Sequence, residues 1–407
     1  MDPRISRRQL LKAGALTASG ALLAGRVLGA ANPGVALPGL FGPLASPPAG
    51  ALKTKRVLLV LFAGGVRAKD TVGTPANVPN LMRLAEKGVV FSNCGAANLG
   101  HYGASLAILT GVPEAMGIRE NSRGLSPTIF EYVRKELKLA ASGAWLSADN
   151  GSQGANFAFG LNRGWGSEYG ANVIDGDGIF NQEFRETLAQ FGKPKADVPE
   201  QFDALQRLRG TIGSGSGGSG GAGGDTKVLN DEATAARVEK YIVDELTHNE
   251  TVTLTGPGAG DAKALRIAGN ILQIFRPQLL CVSLTSADVA HGSYNAYVDV
   301  IRRNDQELGR IVDTVNGDPQ LKDSTSIFVL PEFGRDKNLN QRNGLDHGDG
   351  SPELQRVSCV AAGPDFKTTG KVIDAACETI DVCPTICRLL GADAPLARGK
   401  LLPRILG

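Results

Sequence analysis

Two Asp–His pairs carry most of the chemistry legible in this chain. Asp288 and His291 stand in Ser286-Ala287-Asp288-Val289-Ala290-His291-Gly292, and Asp346 adjoins His347 in Asp346-His347-Gly348. A carboxylate and a neutral imidazole this close along the chain can reach one cation, and that donor set suits zinc or another transition metal. Glu332, Arg335 and Asp336 fall together in Pro331-Glu332-Phe333-Gly334-Arg335-Asp336, shortly ahead of the second pair. Carboxylates there can add ligation or orient the imidazoles, and an arginine can clamp an anion. Each group taken singly has a structural explanation, because Asp caps helices and Asp, Asn and Gly are common in turns. Together they place scarce chemical groups after two adjacent strands. Histidine is only 4 of 407 residues, so each one can be inspected; the other two are His101 and His248.

The elements that must position these groups alternate. Arg56–Phe62 is a continuous apolar run, the pattern of a parallel strand buried on both faces, and it ends in Ala63-Gly64-Gly65. A helix is expected over 78–87, with Asn77 as N-cap and Gly88 beyond its end. Short strands are expected at 89–91 and 144–147, with a helix at 129–137 between them. Leu279–Thr285 is a second strong strand. Tyr294–Val315 is a long helix with Tyr294, Tyr297, Val298, Ile301, Leu308, Ile311, Val312 and Val315 along one stripe. Asp305 lies near that stripe and is expected to cap a neighbouring element. Strands at 326–330 and 357–362 follow, then a helix to Leu390 capped by Asp381 and stopped by Gly391. This order implies an α/β fold, a three-layer αβα sandwich with a mostly parallel central sheet. In such sheets sites form where strand C-termini meet their loops, which is where the Asp–His pairs fall.

Composition narrows the function classes. A net charge of +2 argues against an electrostatic nucleic-acid binder, and 42% hydrophobic with 21% charged residues excludes a wholly disordered chain. Glycine is high, 53 of 407, and Gly210–Gly224 alone reads as a Gly/Ser-rich flexible loop inside an insertion over about 195–255. The remainder of the excess lies largely in strand-end turns. The six cysteines contain no CxxC pair, so a zinc ribbon is not expected. Cys281 and Cys359 read as buried thiols and Cys383 and Cys387 as packing residues, while Cys377 could pair with either of the last two. Residues 1–31 carry Arg4, Arg7, Arg8 and Lys12 ahead of a short apolar run that is too short and too rich in Gly and Ala to span a membrane. Ser6-Arg7-Arg8-Gln9-Leu10-Leu11-Lys12 resembles the twin-arginine export signal. That resemblance implies the twin-arginine translocation machinery as a partner, a bacterial source, a periplasmic or secreted destination and no stable membrane anchor after cleavage. Residues 32–54 form a Pro/Gly-rich linker, and the domain proper is expected over 55–405.

Over about 55–392 the chain resembles the alkaline phosphatase superfamily of metal-dependent phosphatases, sulfatases and phosphomutases. RVLLVLFAGGVRAKD resembles its opening strand, TPANVPNLMRLAEKGVVFSN its first helix–strand segment, and ASLAILTGVPE the element downstream of its nucleophile. DVAHGSYNAYVDVIRRNDQELGRIVD resembles its metal-binding Asp…His loop and following helix, and ETIDVCPTICRLLG its terminal helix. EFGRD…GLDHG is similar to the "EFGR…GRDH" of a twin-arginine-exported branch called DUF1501.

The resemblance implies an exported hydrolase of a phosphate, sulfate or related ester that uses a divalent metal, zinc first and Ca, Mn or Mg as alternatives. Asp288, His291 and His347 match one metal set, with Glu332 and Asp346 as further ligands or as groups orienting the histidines. Arg335 is expected to clamp the anionic substrate. Where relatives end the first strand in a metal-binding Asp, this chain has Gly64, and where they carry a second Asp-His pair it has Glu332-Phe333. Asp70 is a candidate to replace the lost carboxylate. No nucleophile is evident: counting back from Thr110-Gly111 puts His101 in its register, or Asn98 if a gap is allowed. Attack by metal-activated water is therefore expected, with His101 as general acid or base. The alternative reading is a catalytically degenerate member that acts as a periplasmic binding or assembly protein.

Overall fold

A computed structural model describes residues 52–114, 122–149, 151–175, 231–234, 236–237, 240–241, 254–366 and 369–403. The export signal, nearly all of the linker, His248 and most of the 195–255 insertion, including its Gly/Ser-rich loop, lie outside the described residues. At the start of the domain, Asp365 accepts the backbone N–H groups of Lys53 and Thr54, at 2.8 and 2.7 Å.

The strands are β1 (Arg56–Phe62), β2 (Val89–Gly95), β3 (Ala144–Ala148), β4 (Asn172–Asp175), β5 (Leu279–Leu284), β6 (Thr325–Pro331), β7 (Arg356–Ala362), β8 (Lys371–Ile373) and β9 (Cys377–Glu378). They form one sheet in the order β4-β3-β5-β1-β6-β7-β2-β8, with β9 also paired to β2. Among the described strands only β7 runs against its neighbours, β6 and β2; the other pairs are parallel. The expected mostly parallel sheet is present. The two strands that precede the Asp–His pairs are not adjacent, however: β5 and β6 flank β1 on either side.

The side chains of β1 explain its central position. Leu58, Val60 and Phe62 join one apolar layer and Val57, Leu59 and Leu61 the other, so every residue from Val57 to Phe62 is buried against helices. The first layer is covered by α1 (Pro79–Glu86), α4 (Ala259–Phe275) and α5 (Tyr294–Gly317). The second is covered by α2 (His101–Thr110), α3 (Ile129–Glu136) and α6 (Val382–Leu390). The expected stripe of α5 faces the first layer, with Tyr297, Val298, Ile301, Leu308, Ile311, Val312 and Val315 buried.

Two expected caps differ from what is observed. Asn77 does not cap α1; its amide donates to the Asp70 carbonyl and accepts from Arg302. The cap comes from α5 instead. Asp305, 2% exposed, accepts the backbone N–H of Asn80 at 2.9 Å and of Leu81 at 2.7 Å. Asp305 thus has the capping role expected of it, tying two helices together through orphan helix N–H groups. Asp305→Ala is expected to lower stability by about 2 kcal/mol, read as a lower denaturation midpoint at unchanged slope. Asp381 stands at the start of α6, but its carboxylate accepts from Glu378 and Lys400 N–H rather than from the helix.

All six cysteines are free and buried. Cys377 lies opposite Cys94 in the β2–β9 pair, not beside Cys383 or Cys387, because β9 adds to the sheet edge while α6 packs below it.

Candidate metal centre

The C-terminal ends of β1, β5 and β6 open toward the same side, and four side chains meet there. Asp288 and His291 sit on the 3-10 turn Ser286–His291 that follows β5. His347 comes from the loop after β6, and His101 is the first residue of α2. One ligand atom from each of His101, Asp288, His291 and His347 lies within 4.8 Å of all the others. Asp288 Oδ1 is 3.0 Å from His101 Nε2 and 3.3 Å from His291 Nε2. The His347 ring packs 4.8 Å from that of His101 and 5.0 Å from that of His291.

Backbone packing holds this geometry. Gly64 lets the end of β1 pass directly under the Asp288 turn: a Cβ there would sit 2.7 Å from Asp288 N and from Thr285 O. A carboxylate side chain at the end of β1 is therefore sterically excluded. Gly344 has the same function for the loop carrying His347, where a Cβ would strike the Ala290 and His291 carbonyls. Leu345 N–H to Ala290 O at 2.7 Å then locks the two loops together. Asp336 accepts the N–H groups of Gly348 and Asp349, fixing the chain just after His347.

Two of the imidazoles are oriented by carboxylates. His101 Nδ1 lies 2.6 Å from Glu332 Oε1, and Ser105 donates to the other oxygen of Glu332. His291 Nδ1 lies 2.6 Å from Asp346 Oδ1. Such partners turn the Nε2 atoms toward the centre of the cluster. His101 Nε2 is buried and not aligned for a hydrogen bond with any protein atom. An orphaned ring nitrogen facing a carboxylate and two more imidazoles fits a divalent cation, and three nitrogens plus one oxygen is a zinc-type donor set. Phe333, fully buried, packs its ring 4.9 Å from His101 and 5.2 Å from His347.

The electrostatics of the cluster follow from these contacts. Burial works against a charge on His101, but the Asp288 and Glu332 carboxylates, 3.0 and 2.6 Å from its two ring nitrogens, outweigh it and push its pKa up to about 9. His347 goes the other way, down to about 4, through burial and the positive charges of His101, Arg335 and His291. Burial opposes the charge of Asp288, yet His101 and Arg335 hold its carboxyl well below the usual range. Burial raises Glu332 to about 7, against the pull of His101, Ser105 and Arg335.

Of the two roles expected for Glu332 and Asp346, the structure shows the second: they stand behind the histidines and orient them, outside the four-residue cluster. Other candidate residues differ from what the sequence implies. His101 joins the cluster. Arg335 is fully buried, and its guanidinium donates to the carbonyls of Gly64, Gly65 and Leu345 and, at 2.5 Å, to Asp288. Those bonds engage every nitrogen, so none is directed at an incoming anion. Asn98 accepts from Gly100 N–H and donates to Glu114 O, shaping the loop ahead of α2. Asp70 is held by Arg67, Tyr294 and Tyr297 and does not reach the cluster. Ser105, the partner of Glu332, was not among the expected site residues; its signal is the four-residue spacing from His101 at the start of a helix, which puts both on one face.

No protein-family model and no curated protein sequence matches the chain. Solved structures do match its fold. The wild-type alkaline phosphatase PafA superposes with a TM-score of 0.56 at 11% identity, covering 89% of this chain and 100% of that one. The sulfatase PsFucS1 from Pseudoalteromonas sp. follows at TM-score 0.49 and 14% identity, covering 87% and 72%. A phosphonate monoester hydrolase from Silicibacter pomeroyi gives TM-score 0.46 at 15% identity, covering 87% and 76%. The chain has the alkaline phosphatase-like α/β fold.

Proposed function

We propose that the protein is an exported metal-dependent hydrolase of a phosphate, sulfate or related anionic ester. The observation that carries this reading is the convergence of His101, Asp288, His291 and His347 on one point at the strand ends of an alkaline phosphatase-like fold. Those four side chains would hold one divalent cation, zinc being the best match to the donor set. A cation bound there supplies a Lewis acid for an ester oxygen and lowers the pKa of water toward ~7.

The chain's own residues do the rest. Glu332 and Asp346 fix the rings of His101 and His291 and raise their basicity toward the centre. Ser105 holds Glu332 in place, and Phe333 closes the side of the site behind His101 and His347. Arg335 keeps Asp288 ionised and joins it to the end of β1, so the carboxylate stays charged without a second cation. Arg335 does not have the role first expected of it, clamping substrate, because its nitrogens are engaged by Gly64, Gly65, Leu345 and Asp288. Asn98 has no part in the chemistry, and His101 serves as a ligand instead of a free general base. Export by the twin-arginine machinery accords with a protein that folds around its metal before translocation.

Metal binding is expected to release a proton. At pH 7.5 His101, with its pKa near 9, carries a proton that a cation must displace, whereas His347, near 4, is already neutral. Affinity therefore rises about tenfold per pH unit up to about 9 on account of His101 alone. Calorimetric titration in two buffers of different ionisation enthalpy reads this release directly. Equal heats in the two buffers would contradict it.

The function itself is tested with tag-free, zinc-loaded protein on aryl phosphate, aryl sulfate and aryl phosphonate monoesters. Turnover that disappears in Asp288→Ala supports the hydrolase. Metal binding with no turnover of any of the three supports the second reading, a periplasmic binding or assembly protein. The full engagement of Arg335 favours that second reading, since it leaves no nitrogen of this guanidinium directed at an anion.

A further inference from the structure

Two acidic side chains meet behind the turn that carries Asp288, and the mechanism above makes no use of them. Asp149 follows β3, and Asp261 lies in the first turn of α4. Asp149 Oδ2 accepts from Thr285 N–H at 3.1 Å and from Thr285 Oγ1–H at 2.5 Å. Asp261 Oδ1 accepts from Ser286 N–H at 3.0 Å, and its Oδ2 from the Asn304 amide at 2.6 Å. Asp261 and Asn304 are fully buried. Three of the four carboxyl oxygens thus have donors. The fourth, Asp149 Oδ1, is closed off from solvent and has none. Its carboxyl neighbour is Asp261, which follows Gly260, where a Cβ would lie 3.2 Å from the Asp149 Cβ and 3.8 Å from its Oδ2. Two like charges cannot share such a place; one proton turns the orphan oxygen into a donor and satisfies all four.

We propose that Asp149 and Asp261 hold one proton between them, on Asp149 Oδ1, and that this protonated pair positions the Thr285–Asp288 turn for metal binding. The second half rests on the metal-centre reading; the first half does not. Thr285 O accepts the Asp288 N–H at 3.0 Å, so the residue clamped by Asp149 is the one from which Asp288 hangs. Asp149 and Asp261 are positioning residues, since neither touches the cluster. Burial and the neighbouring carboxyl push Asp149 well above the usual range, in keeping with the shared proton. Charged groups on the surrounding elements include Lys263 and Arg266 on α4, Arg303 and Glu307 on α5, and Asp288 beyond the turn. Arg266 pairs with Glu307 at 3.0 Å, Arg303 donates to the Thr255 and Pro257 carbonyls, and Asp288 is held by Arg335.

The sign is fixed by the proton. A carboxyl whose pKa is raised on folding makes the folded state bind more protons, so its contribution to stability falls as pH climbs from the ordinary carboxylate range to the raised value. Asp149→Asn keeps the donor and the single negative charge of the pair but cannot ionise, and should remove that slope. Infrared spectroscopy of the metal-free protein at pH 7 is expected to show a buried carboxylic-acid C=O band that persists in Glu332→Gln and is absent in Asp149→Asn and in Asp261→Asn. Zinc affinity is expected to be the same in wild type and Asp149→Asn at pH 7, with the variant pulling ahead as the wild-type pair ionises at higher pH. Asp149→Ala, which has no donor, should bind zinc ~10–100-fold more weakly throughout. The absence of the acid band overturns the shared proton. The band present, with Asp149→Ala binding zinc as wild type does, overturns the positioning role. A wild type that binds no zinc leaves the infrared result standing and refutes the metal centre alone.

Discussion

Replacing His291 by alanine is expected to lower zinc affinity by more than ~100-fold. The four ligand atoms of His101, Asp288, His291 and His347 lie within 4.8 Å of one another, and removing one leaves three donors of which one is held by an arginine. The loss should exceed the ~10–100-fold expected for the partner that orients a ligand, which is the range anticipated for Glu332→Gln. Glu332→Gln keeps size and one acceptor oxygen, so it isolates the charge behind His101. The ordering of the two variants is therefore part of the expectation. Tag-free protein is needed, with zinc counted by elemental analysis after dialysis and affinity read by competition with a chelating dye. Equal affinity in wild type and His291→Ala would place any bound zinc elsewhere.

Arg335→Ala is expected to cost about 3–5 kcal/mol of stability, the range for breaking a buried charged network from one side. The guanidinium is fully buried and satisfies three backbone carbonyls, Gly64 O, Gly65 O and Leu345 O, besides pairing with Asp288. Those carbonyls belong to the end of β1 and to the loop that carries His347, so their loss loosens two sides of the site at once. Arg335→Lys should recover only part of the stability, because an ammonium on a flexible stem cannot reproduce a planar fork reaching four acceptors. Denaturant unfolding checks both variants. Arg335→Lys matching the wild type would show that charge alone, and not the fork, is what this position requires.

The legible part of the fold was the part written in period. The run at 56–62, buried on both faces, and the α5 stripe each state their neighbours in the order of their residues. Helix α2 does not. It is buried nearly all round, so HYGASLAILT shows no stripe, and the helix that aims His101 into the site was not separable from its loop by pattern. Helix α4, which supplies Asp261, was likewise unassigned. Among the site residues, Asp288, His291 and His347 were legible because they follow strands as Asp and His at short spacing. For Glu332 the sequence left ligation and orientation both open, and distance across the sheet ends decides for orientation; the role of Arg335 was not legible, since its guanidinium is drawn inward by carbonyls that no side-chain pattern announces. The cap of α1 makes the same point, because Asp305 lies 225 residues from the N–H of Asn80 it accepts.

Anomalous diffraction at the zinc edge, from crystals of tag-free protein loaded with one equivalent of zinc, tests the metal centre most directly. The expected result is a single strong peak bonded to His101, Asp288, His291 and His347, with Glu332 and Asp346 still hydrogen-bonded behind their histidines. A map with no peak among these four side chains, or with zinc bound only at some other place on the protein, would contradict it.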